Sequence, residues 1–250
     1  MTATEKEIED RVRAAMRSDR RLGAGFRLAR IEQAADGTLT LEGEVDNVAQ
    51  KKIALERAAA VDGVAAIADR ISVTPASTMG DREIRARLRD YFIQEPAFSD
   101  YAVRQLRIDE AIPAKEDYEL LGGDPATARA QIDIEVRNGI VTLSGRVPGL
   151  ASKRLAGVMA WWVPGARDVI NGLAVEPPED DAPIRIEEAV RLVLDRDPLV
   201  DDTQIRVGVR HRTVRLTGAV PSKAIRGMAE RDAWCVFGVD DVVNEIVVAI

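Results

Sequence analysis

Three stretches of this chain switch between apolar and polar residues at every step. Leu39, Leu41 and Val45 alternate with Thr38, Thr40, Glu42 and Glu44. Val141, Leu143 and Val147 alternate with Thr142, Ser144 and Arg146, and Val214, Leu216 and Val220 with Thr213, Arg215 and Thr217. Period two places each apolar set on one face of a strand and leaves the other face wet or covered by a partner. A preceding strand is clearest where Ile205, Val207 and Val209 alternate. Between the strands stand Asp36-Gly37, Asn138-Gly139 and His211-Arg212, of which the first two are strong hairpin turns.

A second period precedes each hairpin. Ile8, Val12, Ala15 and Met16 correspond to Ile84, Leu88, Tyr91 and Phe92, and to Ile186, Val190, Val193 and Leu194. Steps of four, three and one put each set on one face of an amphipathic helix. After each hairpin the three stretches share a glycine frame. Gly43, Gly145 and Gly218 are each followed twenty positions later by Gly63, Gly165 and Gly238, and ten positions after that by Val73, Val175 and Val248. The spacing predicts a second helix of about fifteen residues, ended by the second glycine as a C-cap, and then a last strand.

The chain therefore reads as an α+β protein of three tandem αββαβ units, each a three-stranded sheet with two helices on one face and a core of its own. The expected boundaries are 4–75, 80–177 and 183–250. The stretches "TPASTMG" and "EPPEDDAP" are the linkers, the latter stiffened by proline and solvated by its acids. The second unit is longer between helix and glycine, which predicts an insertion near 107–130, in "LRIDEAIPAKEDYELLGGDPATARA". At about 70 residues, such units sit near the lower limit for independent stability.

Composition narrows the function classes. Apolar residues make up 46% of the chain and aromatics only 4%, so Val, Leu, Ile and Ala must build the cores. A net charge of −7 argues against nucleic acid as a partner. The single cysteine, Cys235, excludes an intrachain disulfide and reads as a small core residue. His211 is the lone histidine, which excludes a histidine metal cluster, and its place at a hairpin turn suits a residue that tolerates positive φ. "GGDPAT" lacks the lysine of a phosphate-binding loop, and Glu179, Asp180 and Asp181 read as solvated linker acids. No catalytic, metal or cofactor residues are expected. The first residues read as a helix rather than an export signal, and no apolar stretch approaches a membrane span. The expected location is cytoplasmic, or periplasmic if an export signal has been removed.

The unit order, "VTLSGRV" and "VRLTGAV" at the hairpin exits, the basic residue eight positions after each glycine (Lys51, Lys153, Arg226) and the ending "VDGVAAIADRISV" resemble the BON domain, named for bacterial osmotically inducible and nodulation proteins. The resemblance implies a non-enzymatic module of envelope maintenance and osmotic stress that touches phospholipid or envelope proteins.

Two side chains remain to be placed. On a helical wheel Trp162 joins Leu155, Val158 and Met159 on the core arc, whereas Trp161 falls about 100° away. Trp234 shares the outer position of Trp161, and Arg154 and Lys52 lie on the same arc. Such an indole packs on a neighbouring repeat or another chain, sits at a lipid headgroup boundary, or stays half exposed. The candidate interaction surface is thus Trp161, Trp234, Arg154, Lys153, Lys51, Lys52 and Arg226. Neighbouring repeats or a protein partner are expected to meet it, with an anionic phospholipid surface or a homo-oligomer as the rival readings.

Overall fold

The structure, a computed structural model, describes residues 4–107 and 117–249. The chain divides into two compact units, Met1–Thr74 and Pro75–Ile250.

In the first unit α1 (Glu5–Ser18) opens with a capping box, in which Thr4 Oγ1 accepts from the Glu7 amide and Glu7 accepts from that of Thr4. Strands β1 (Arg30–Gln33) and β2 (Thr38–Val45) pair antiparallel, α2 (Val48–Ala59) crosses over, and β3 (Ala66–Val73) returns parallel to β2. The alternation does what period two requires: Leu39, Leu41 and Val45 are buried with Ile71 and Val73. Ile8, Val12 and Met16 of α1 and Ile53, Ala54 and Ala58 of α2 are buried as well, with α1 packed on β1 and α2, and α2 on β2 and β3.

The second unit holds the other two repeats. The second repeat comprises α3 (Asp81–Gln94), β4 (Tyr101–Arg107), β5 (Asp117–Gly122), β6 (Ala130–Arg137), β7 (Ile140–Val147), α4 (Leu150–Trp161), β8 (Asp168–Asn171) and β9 (Ala174–Val175). The third comprises α5 (Pro183–Arg196), β10 (Ile205–Arg210), β11 (Thr213–Val220), α6 (Lys223–Cys235) and β12 (Asp241–Val248). Its sheet has the order β10-β11-β12, a copy of β1-β2-β3.

The sheet of the second repeat is not three-stranded as expected. It runs β5-β4-β6-β7-β8, with β9 also on β7. The insertion supplies β5, and together with β4 it widens the sheet beyond β6. β4 lies parallel to β6 and antiparallel to β5. Residues 108–116 of the predicted insertion lie outside the described residues.

The glycine frame has a steric cause. A Cβ at Gly145 would stand 2.3 Å from the Gln131 carbonyl oxygen, and one at Gly218 would stand 2.0 Å from that of Gln204. Both residues have positive φ, at 110° and 133°. The neighbouring strand passes too close for any side chain at either position. The second glycines are not the helix caps predicted. Ala60, Trp162 and Val236 hold the C-cap positions, and Gly63, Gly165 and Gly238 lie beyond them in the turn to the last strand. His211 and Asn138 do adopt positive φ, at 56° and 54°.

The expectation of three separate cores fails in the second unit. One continuous apolar cluster runs from Ile84, Phe92, Ile132 and Leu143 through Leu155, Val158 and Val163 to Ile186, Val190, Leu216 and Val236. Its hinge is α4, buried from Leu155 to Ala160 without a break and packed against α3, α5 and α6. A helix apolar all round must be covered on all sides. The counterpart α2 carries Glu56 and Arg57 in the same stretch.

Candidate interaction site

The basic residue shared by the three repeats ties its helix to the last strand. Lys51 is buried; its Nζ donates to the Ile71 carbonyl at 2.6 Å and pairs with Asp69 at 3.0 Å. In the second repeat Asn171 Nδ2 donates to the Lys153 carbonyl at 2.7 Å, and in the third Asn244 Nδ2 donates to that of Arg226 at 3.0 Å. Asp69, Asn171 and Asn244 stand 26 positions after their glycines. Each also accepts from the amide two residues on, at Ile71, Leu173 and Ile246. This polar register in the last strand escaped the sequence reading, although its spacing was there to find. A buried ammonium needs such partners, since leaving it bare costs several kcal/mol.

The seam between the second and third repeats is built on α4. Arg154 has no exposed surface; its Nε donates to the Phe237 carbonyl at 2.8 Å and its Nη2 pairs with Asp181. Lys153 places its ammonium 5.3 Å above the Phe237 ring centre, a cation–π contact across the seam. Glu179 accepts from the Leu150 amide at 2.8 Å, so a linker carboxylate caps the positive end of α4. The acids Glu179 and Asp181 are therefore not simply solvated: they pin the linker to α4.

At the other end of α4, Trp162 Nε1 donates to Asp232 Oδ1 of α6 at 2.8 Å. Trp162 is half-buried and packs against the continuous core, as its place on the wheel predicted, while its indole N–H reaches across the seam. Asp232 is buried, and its Oδ2 has no hydrogen-bond partner among the described residues. Burial lifts this carboxyl from its ordinary range to about 7. The Trp162 bond opposes the rise, and the neighbouring Asp197 carboxylate at the C-cap of α5 adds to it. Arg196 Nε donates to Glu95 Oε1 at 3.1 Å, a third link between the repeats.

The predicted surface residues are thus dispersed. Lys51 and Arg154 are buried, held by internal carbonyls and carboxylates, which withdraws them from a solvent-facing anionic surface. Trp234 is 5% exposed, so of the three readings of the outer indole it is neither half exposed nor open to a lipid surface. Trp161 and Lys52 are half-buried. Lys153 is half-buried over Phe237, and Arg226 is exposed on α6, with Nη2 donating to the Asn244 carbonyl. Phe237, 48% exposed, and the acids Asp181, Asp197 and Asp232 were missed. Phe237 lies in the turn after α6 and Asp232 is a charged residue in a helical pattern, and neither carries a local motif.

Among the described residues no cluster of three or more His, Cys, Asp or Glu could hold a metal, and no helix is long and apolar enough to cross a membrane.

Two similar solved structures are both of CdsD, a structural protein of the type III secretion system of Chlamydia trachomatis. Its C-terminal domain is 14% identical, with 92% of this chain and 95% of that chain covered and a TM-score of 0.25. A second CdsD structure is 13% identical, with 97% and 92% covered and a TM-score of 0.24. No curated protein matches the chain significantly. The BON domain family profile matches residues 4–75, 118–177 and 185–250. With matches over most of its length, each centred on the same strand–helix–strand frame, the chain belongs to the BON domain family and carries three copies of the domain.

Proposed function

We propose that this chain is a non-enzymatic binding or adaptor protein of bacterial envelope or osmotic-stress physiology. The second and third BON domains act as one body in it. The observation that carries this reading is the continuous core through α4, reinforced by Arg154, Trp162 and Glu95. Side chains that an isolated domain would offer to a ligand are used instead to join two domains. A joined pair presents a larger and stiffer surface to a protein partner than two tethered domains do.

The phospholipid reading loses two of its cations and one indole to burial. Exposed Arg226 remains, one cation worth about 1 kcal/mol at an anionic surface. The deciding experiment uses the full chain in two arms. One is chemical cross-linking to isolated envelope proteins with identification of the linked peptides. The other is co-sedimentation with anionic and neutral vesicles at low and high salt. The expected result is a defined protein cross-link and no sedimentation with vesicles. Salt-sensitive sedimentation with anionic vesicles and no protein cross-link would replace the adaptor reading with the lipid one.

A further inference from the structure

At the last turn of the first helix each repeat carries an acid, and its neighbour differs in each. In the first repeat Asp19 meets Arg57 of α2, Nε to Oδ2 at 2.8 Å. In the second, Glu95 meets Arg196, reaching over from the third repeat. In the third the acid is Asp197, and the position of Arg57 is occupied by Asp232. Counting from the helix stripe and from the repeat glycine gives the same equivalence: Asp19 matches Asp197, and Arg57 matches Asp232. A salt bridge in one copy has become a pair of carboxyls in another.

The pair sits under Trp162. Its indole donates to Asp232 Oδ1, while Oδ2 is buried without a partner among the described residues and Asp197 lies on the neighbouring helix end. Compensating cations are scarce. α4 carries no charge from Leu155 to Trp161, and of the charged residues on β11 and β12, which also pack on α6, Arg215 pairs with Glu245 and Asp241 is a further acid. From α5 Arg196 is engaged by Glu95 and Asp195. On α6 itself Arg231 attracts the carboxylate, but it is exposed and its pull is the weakest of the influences on Asp232. Ionising Asp232 here leaves a buried oxygen bare beside a second acid, whereas its own proton supplies the donor that Oδ2 lacks.

We propose that Asp232, its Oδ2 buried beside Asp197, keeps its proton in the closed seam, and that losing it as the pH rises loosens the second BON domain from the third. The sign follows from linkage. In the closed seam Asp232 holds its proton up to about pH 7, whereas a carboxyl in water releases it near 3.8. The closed state is therefore fully favoured below the ordinary value, and the advantage is lost as the pH rises to about 7. Across that window the opening equilibrium rises by up to roughly tenfold per pH unit. The clasp acts on the two-domain body whatever that body binds, so it stands or falls apart from the adaptor reading.

The test is amide hydrogen exchange of the full chain between pH 5 and 8, corrected for intrinsic exchange. A carbon-detected titration of the aspartate carboxyls accompanies it. Protection in α4 and α6 should fall with pH, α2 should serve as a flat internal reference, and Asp232 should titrate near 7. Asp232→Asn should flatten the α4 and α6 profile. Asp197→Asn removes the like charge but keeps Asp232, and should lower the Asp232 midpoint and shrink the pH dependence; it carries the test if the first variant does not fold. An Asp232 midpoint near 4, or protection in the native chain as flat as in α2, would overturn the proposal.

Discussion

Arg196 closes α5 by donating to Glu95, the C-cap residue of α3, at 3.1 Å. One repeat thereby completes the electrostatics of another. Glu95 is buried and also accepts from the Ala97 amide at 3.0 Å, while Arg196 keeps about a third of its side chain in solvent. The carboxylate is thus the partner that suffers if the pair is broken, since the guanidinium can return to water.

Arg196→Gln should lower the stability of the unit from Pro75 to Ile250 by about 1–3 kcal/mol. The first unit should be unchanged. Urea denaturation of the full chain, followed by segment-resolved hydrogen exchange, separates the two.

Gly218→Ala and Gly145→Ala should each cost about 2–4 kcal/mol or prevent folding, because the new methyl meets a backbone carbonyl that cannot move without parting two strands. Gly80→Ala, where a Cβ meets nothing, should be near neutral. Thermal midpoints of the three variants check the contrast.

Lys51→Met keeps the aliphatic stem in its slot but removes the donor to Ile71 and the partner of Asp69. A loss of about 1–2 kcal/mol is expected, confined to the first unit. Unchanged protection of α2 and β3 in hydrogen exchange would show that the strap does not hold them.

Arg154→Met and Arg154→Ala separate packing from charge. Asp181 is exposed enough to be rehydrated, so the methionine variant should stay within about 1 kcal/mol of the native protein. The alanine variant leaves a cavity and should lose about 2 kcal/mol more. Equal losses in chemical denaturation would mean that the buried charge dominates.

Acid should act on the first unit with the opposite sign to that at Asp232. The bond from Arg21, supported by Arg57, holds the Asp19 carboxyl well below the usual carboxylate range. That stabilisation is fully present above pH 3.8 and is lost as the pH falls below it. Asp19→Asn should therefore reduce the acid sensitivity of the first unit between pH 4 and 2, measured by far-ultraviolet circular dichroism.

What local chemistry dictates was legible before the structure. Leu39, Leu143 and Leu216 alternate with polar neighbours and are buried, and Asn138 and His211 occupy the positive-φ turn positions that their frames required. The β4 strand was harder to see, because nearly every residue from Tyr101 to Leu106 is buried on one face or the other and no alternation survives. The seam was illegible for a different reason. Arg154 finds its acceptor at Phe237, 83 positions away, and Trp162 finds Asp232, 70 positions away, so no local pattern joins them. One signal was overlooked: the run from Leu155 to Trp161 has no charge, and an uncharged helix in a chain this rich in charge has to be enclosed.

The late arrival of those distant partners matters while the chain is being made. The ribosome releases the N-terminus first, and the strands of the second repeat are complete once Val175 has emerged. At that moment α4 still lacks α5 and α6, whose packing closes its remaining flanks. The nascent chain thus carries a greasy, tryptophan-tipped helix in the open for as long as the third repeat takes to be synthesised. That interval is when a chaperone would engage the chain and when two nascent chains would stick to each other.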